Sequence, residues 1–153
     1  MSVDFVIRNY CKEDKLSVLH LIQLNTPTYF AKQEEQDLVH YLENELEEYF
    51  VIEKEGEIIG SGGINFKSIR NDRIGVISWD LIHPKHQDLG IGGQLLEYRL
   101  KQLKVKYNCK NIIVRTSQHV YKFYEKFGFE IDEIKENYWS KGFDLYSMKY
   151  FTS

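Results

Sequence analysis

The stretch from residue 74 to 107 constrains this chain more than any other. Residues 74–82 (Ile-Gly-Val-Ile-Ser-Trp-Asp-Leu-Ile) are rich in β-branched and aromatic side chains, which predicts a largely buried strand. His83-Pro84 ends it, because proline has no N–H to give to a sheet ladder. Gln87-Asp88-Leu89-Gly90-Ile91-Gly92-Gly93 follows, and Leu96, Leu100, Leu103 and Tyr107 then recur at helical spacing. Strand, glycine loop and helix in that order aim several unpaired backbone N–H groups at one point, where the helix dipole adds partial positive charge. Glycines there let a bulky anion, typically a pyrophosphate, approach the main chain. The spacing predicts an anion cradle. A glycine-rich turn that holds no ligand is the plainer alternative.

Two familiar loops are excluded by single residues. A dinucleotide fingerprint needs a third glycine where Leu95 stands, and a Walker loop needs Gly-Lys-Ser/Thr where Gly93-Gln94-Leu95 stands. Farther on, residues 120–129 (Val-Tyr-Lys-Phe-Tyr-Glu-Lys-Phe-Gly-Phe) read as a helix of about two turns, closed by Gly128 and running into a strand.

Around these two motifs the rest of the chain alternates short elements. A strand is expected at 5–7, a helix at 11–24 and a second helix at 32–47. The second helix has Leu38, Tyr41, Leu42 and Leu46 on one face. Its dense acidic face holds Glu34, Glu35, Asp37, Glu43, Glu45, Glu47 and Glu48. Plain solvation explains that face, and attraction of a cationic substrate is the alternative. Residues 49–54 and 57–66 read as a hairpin about Glu55-Gly56, with Gly60, Gly62 and Gly63 hinting at a bulge or a close backbone contact. Further strands are expected at 111–115, 129–138 and 143–150, the last two turning near Lys141-Gly142.

Gln87-x-x-Gly90-x-Gly92, preceded by a strand and a proline, resembles the acetyl-CoA loop of the GNAT N-acetyltransferase superfamily, (Arg/Gln)-x-x-Gly-x-(Gly/Ala). Residues 120–129 resemble that family's Ala-x-x-Phe-Tyr-Glu-Lys-x-Gly-Phe signature, with Val120 in the alanine position. The two motifs occur in the family's order, about 30 residues apart, and the resemblance runs from about residue 5 to 150. It implies an α/β chain of α+β type: a twisted mixed central sheet of six to seven strands, flanked by about four helices. In that fold two central parallel strands splay apart around the pantetheine arm of CoA.

The resemblance also implies acetyl-CoA as co-substrate and a set of residues that meet it. Ile82 matches the position whose backbone pairs with the pantetheine amide. Gln87, Leu89, Gly90, Ile91, Gly92 and Gly93 match the pyrophosphate cradle, and Tyr124 matches the tyrosine beside the thioester sulfur. Ser117 stands where the family often has an asparagine that touches CoA, a shorter side chain at that contact. Val76 stands where many members carry a glutamate base, and Asp80, four residues on along the strand, shares its face by the period of two.

Acyl transfer to an amine needs a neutral amine, a donor for the carbonyl oxygen and a proton for the departing thiolate. Tyr124, with a reference pKa of about 10, is near enough to a thiol's roughly 8.5 to supply that proton. As an amphipathic aromatic it also suits simple packing. Asp80, flanked by Trp79, Leu81 and Ile82, suits base work directly or through water; a structural carboxylate satisfied by backbone or an arginine is the alternative. His83 and His86 are spaced like a metal pair without further ligands, so no metal is expected. Tyr29-Phe30 and Tyr138-Trp139 are candidates for the acceptor pocket or for the core.

Composition bounds the partners. A chain of 153 residues is expected to form one domain, 1–153, and its net charge of −3 lacks the basic surplus of a nucleic-acid binder. No apolar run approaches a membrane span, and Met1-Ser2-Val3-Asp4 has no signal-peptide pattern. Cys11 and Cys109 suit reduced thiols in a cytoplasm. The expected partners are acetyl-CoA and an amine acceptor, small molecule or protein, with no nucleic acid and no membrane; a homodimer is compatible with this reading. The competing class is a CoA-binding sensor or scaffold without catalysis, favoured by Val76 and opposed by Tyr124.

Overall fold

The computed structural model describes residues 4–151, so the reading of residues 1–3 lies outside the described part. Its strands are β1 (Val6–Asn9), β2 (Glu48–Lys54), β3 (Glu57–Ile69), β4 (Asp72–Ile82), β5 (Asn111–Thr116), β6 (Glu130–Ser140) and β7 (Phe143–Phe151). They form one mixed sheet in the order β1-β2-β3-β4-β5-β7-β6. The α-helices among the described residues are α1 (Lys15–Leu24), α2 (Glu34–Asn44), α3 (Ile91–Lys101) and α4 (Tyr121–Glu125). Seven strands with four helices match the expected architecture.

Local chemistry explains the connections. Glu55 and Gly56 take φ of 51° and 78°, and Arg70 and Asn71 take 52° and 69°. Two consecutive positive φ values are what a two-residue hairpin needs to follow the strand twist, so β2, β3 and β4 form a meander. Between β4 and α3 the chain makes a 3₁₀ turn over Pro84–Leu89 that ends at Gly90, φ 72°. Downstream, α3 continues through a π-helical turn over Gln102–Lys106.

The sheet alternates its side chains between two cores, as a period of two requires. On one face Phe50, Ile52, Ile77 and Ile112 pack with Leu95, Leu96, Leu100 and Leu103 of the α3 region. On the other, Tyr49, Val51 and Leu81 pack with Val18, Leu21 and Ile22 of α1 and Leu38, Tyr41 and Leu42 of α2.

Three expectations need correction. The second helix begins at Glu34 and ends at Asn44, because Glu48 already starts β2. The helix of the second motif is only Tyr121–Glu125; Val120 is its N-cap, and Gly128 at φ 99° completes the exit into β6. The third correction decides the site. Gly63 pairs with Ser78 and Ser61 with Leu81, so Trp79 and Asp80 together oppose Gly62 alone, with Trp79 at φ 51°. This β-bulge adds one residue to β4 and shifts the alternation behind it. Val76 and Asp80 therefore do not share a face, although an unbroken period of two puts them on one.

Candidate active site

β4 and β5 pair in parallel from Ile74↔Asn111 to Ile77↔Val114 and no farther, although β4 runs on to Ile82 and β5 to Thr116. The strands part there, and a cleft of about 1190 Å³ opens between them. One end is walled by Ile82, Gln87, Gly90, Gly92, Gly93 and Ser117, the other by residues from the α1–α2 connection, α2 and β3. Ser78, Trp79, Asp80 and Tyr124 line the middle.

The glycine end has the features of an anion site. It holds the N-terminus of α3, an eleven-residue helix, whose first N–H groups have no acceptor within the helix. A side chain at Gly92 projects into the space between Ile82 and Phe123, the nearest atoms lying at 3.4 Å and 3.7 Å. Gly92 has no positive φ, so its backbone conformation is open to any residue and only the space beside it is special. The predicted cradle residues divide. Gln87, Gly90, Gly92 and Gly93 line the cleft, whereas the Ile91 side chain is in the core and Leu89 is 40% exposed. Those two offer only main chain. The Gln87 amide donates to Asn25 Oδ1 at 3.3 Å, and Asn25 Nδ2 donates to the carbonyl of Ile82 at 3.0 Å. Asn25 was not legible as a site residue, yet it fixes the end of β4. Ser117 is buried, and its hydroxyl accepts from His119 N at 3.2 Å.

At the middle of the cleft the bulge turns Asp80 away from the α2 side of the sheet and towards α3 and α4. Its Oδ1 receives the Nη2 of Arg99, and its Oδ2 receives the hydroxyl of Tyr124. Arg99 is fully buried, and it also donates through Nη1 to Gly63 O at 3.1 Å and through Nε to Leu95 O at 3.3 Å. The bulge is held from behind by the Tyr49 hydroxyl, which donates to Trp79 O at 3.0 Å. Burial, reinforced by the Asp80 charge, pushes the Tyr124 hydroxyl well above its ordinary value.

Arg99 is the functional candidate that the sequence reading missed. The signal was present: Arg99 falls between Leu96, Leu100 and Leu103 on the helix stripe facing the core. A lone cation on a buried stripe requires a buried anion, and Asp80 is that anion. The two alternatives posed for Asp80 are thus not exclusive. It is satisfied by an arginine and it still lines the cleft, with 17% of its side chain exposed.

The opposite end is aromatic and acidic. Tyr29, Phe30 and Trp139, for which the sequence left pocket and core both open, line it, while Tyr138 lies outside and accepts a hydrogen bond from Arg115 at 2.6 Å. Phe30 stacks on Trp79 at 6.3 Å between ring centroids. Glu34, Asp37, Glu45 and Glu47 line the same end. Glu34 is buried and accepts from Ala31 N at 2.7 Å, and burial pushes its carboxyl upward. Glu34 and Asp37 of the acidic α2 face thus line the cleft, Glu34 buried there and Asp37 also open to solvent.

His83 and His86 do not face this cleft chemistry. His83 Nδ1 accepts from Lys85 N at 3.1 Å at the start of the 3₁₀ turn, and no group of three metal-ligating side chains gathers among the described residues. Among the same residues no helix is long and apolar enough to cross a membrane.

Comparison with known proteins agrees with this geometry. The family model described as an acetyltransferase (GNAT) domain matches residues 9–151. An N-alpha-acetyltransferase of Sulfolobus acidocaldarius is 28% identical over 136 residues, covering 81% of this chain and 76% of its own. An N-alpha-acetyltransferase of Sulfurisphaera tokodaii is 27% identical over 160 residues, covering 95% and 92%. Among solved structures, Naa50 of Arabidopsis thaliana in complex with the bisubstrate analogue CoA-Ac-MVNAL superposes with a TM-score of 0.74 at 17% identity, over 98% of this chain and 100% of that one.

Proposed function

Because the chain belongs to the GNAT acetyltransferase family and is an acyl-CoA-dependent N-acetyltransferase, we propose that it moves an acetyl group from acetyl-CoA to a primary amine by direct attack within a ternary complex. The observation that carries this reading is the position of Asp80 and Tyr124, together, where the glycine end of the cleft meets its acidic end. Acetyl-CoA supplies the activated acyl group and a thiolate leaving group. The N-terminal turn of α3 and Gly92 hold its pyrophosphate, Ile82 offers main chain to its pantetheine arm, and Ser117 adds a minor contact. Tyr124 is the general acid and Asp80 accepts the amine's proton.

The acceptor is a cationic amine. Glu34, Asp37, Glu45 and Glu47 favour a positively charged partner at the acidic end, and Trp79 and Phe30 offer aromatic faces beside it. The name N-alpha-acetyltransferase that both relatives bear supports peptide α-amines as the leading candidates, ahead of polyamines and other small amines. A panel of peptide N-termini, polyamines, aminoglycosides and amino acids, assayed for CoASH release, tests the reading. Binding of acetyl-CoA without release on any amine favours the sensor alternative instead.

Acetyl-CoA at about 100 times its Kd is expected to stabilise the protein by about 2.7 kcal/mol, a rise in melting temperature of roughly 5–10 °C for a chain this long. NAD and ATP should shift the melt much less. A shift with NAD and none with acetyl-CoA means that the Gly90–Gly93 region has been misread.

Gly92→Val is expected to weaken acetyl-CoA binding at least about tenfold, near 1.4 kcal/mol, in a protein that still folds. The Cβ itself fits, but the two γ-methyls extend into the cleft that Gly92 lines. Titration calorimetry on the folded variant reads this directly, and unchanged affinity removes the phosphate cradle from the proposal.

A further inference from the structure

Asp80 and Tyr124 are joined by a hydrogen bond in the free protein, which makes separate roles as base and acid difficult. Burial and the Asp80 charge both hold the proton on the Tyr124 hydroxyl. A thiolate with a pKa near 8.5 draws it off only weakly, and the tyrosinate left behind is buried against a carboxylate. The difficulty disappears when Asp80 gains a proton as Tyr124 loses one. The same groups are fixed for that exchange, because the buried guanidinium of Arg99 is itself anchored on Gly63 O and Leu95 O.

We propose that Arg99, Asp80 and Tyr124 form a single proton relay from the attacking nitrogen to the departing sulfur, with Arg99 as the positioning residue that holds Asp80 in line. The inference rests on the acetyl-transfer reading above. In the step, the lone pair of the neutral amine forms the C–N bond, and the C–S bond breaks with its pair on sulfur. The nitrogen gives one proton to Asp80, Tyr124 gives its own proton to sulfur, and Asp80 passes the proton it took to Tyr124. The products are the amide and CoASH, and both side chains end as they began. No charge accumulates on either residue. Asp80 is faced by Arg99 from α3 and Tyr124 from α4, while Tyr49 and Tyr41 act on the pair only electrostatically, from the α1–α2 side of the sheet.

Gly62 gives an independent handle on the same arrangement. A Cβ there lies 2.7 Å from Asp80 Oδ1 and 2.8 Å from Arg99 Nη1, wedged against the ion pair. Gly62→Ala and Arg99→Lys should each lower kcat about tenfold or more while leaving the KM for acetyl-CoA and its thermal shift near wild type. Unchanged kcat in both folded variants removes Arg99 from the relay.

The decisive measurement is a double-mutant cycle on kcat with Tyr124→Phe, Asp80→Asn and the pair. A relay fails when either member is lost, so the double variant should be no more than about threefold slower than the slower single. Losses that multiply mean an independent acid and base, and overturn the proposal. A readout free of turnover is available in the protein alone: ¹³C-tyrosine NMR, with Tyr124→Phe assigning the resonance. Tyr124 should ionise at lower pH in Asp80→Asn than in wild type, because a neighbouring negative charge has gone. No change means that the hydrogen bond is absent in solution, and the relay falls with it. If instead no amine releases CoASH from the wild type, the acetyl-transfer reading has failed, and this titration still reports on the Asp80–Tyr124 link.

Discussion

Tyr124→Phe is expected to lower kcat by roughly 10²- to 10⁴-fold, the range for loss of a general acid, with little change in acetyl-CoA affinity. The ring packs edge-on against Phe123 and Phe129 at 5.1 Å and 5.7 Å between centroids, and phenylalanine preserves those contacts. Only the hydroxyl is lost, together with its hydrogen bond to Asp80. Asp80 keeps Arg99 as a partner, so its carboxylate is not left stranded and the melting temperature should fall only modestly. A leaving group that needs no proton separates chemistry from structure. An acetyl donor with a more acidic thiol should recover part of the lost rate in the variant and gain less in the wild type. Full turnover in Tyr124→Phe reduces Tyr124 to a packing residue. Loss of acetyl-CoA binding with turnover intact at saturation assigns it to holding the cofactor.

The hairpins, the glycine loop and the leucine stripe of α3 were legible in the sequence because each is dictated within a few residues. Glu55-Gly56 carries its own turn geometry, and Leu96, Leu100 and Leu103 announce a buried face by spacing alone. The bulge at Trp79 was not legible. It depends on Gly62 in the neighbouring strand, where any side chain collides with Asp80 and Arg99, and on the Tyr49 hydroxyl from a third strand. No spacing within residues 74–82 encodes these contacts. An unbroken period of two therefore puts Asp80 on the wrong face of the sheet. Arg99 stands among the leucines of the α3 stripe, but its anion comes from a distant strand and no local spacing names it. The cleft's acidic end shows the converse: Glu34 and Asp37 of α2 line the cavity and Glu35 and Glu43 do not, a division that the run of carboxylates does not encode.

Asp80→Asn is expected to affect both stability and turnover, and the two effects are separable. Removing the carboxylate leaves the fully buried guanidinium of Arg99 without its anion. Breaking one side of a buried pair costs about 3–5 kcal/mol, which for a chain of this length lowers the melting temperature by roughly 6–20 °C. Turnover should fall about 10²-fold or more, because no side chain then takes the amine's proton. A structural role alone gives the first result without the second: the melting temperature falls and the folded fraction keeps its turnover. The double variant Asp80→Asn/Arg99→Met removes the stranded charge. Replacing both members of a buried pair by neutral groups of similar volume is often close to neutral, so the melting temperature should recover most of its loss. Turnover should not recover with it. Restored activity alongside restored stability makes Asp80 a structural anion, with the amine losing its proton to water; restored stability without activity places Asp80 in the chemistry.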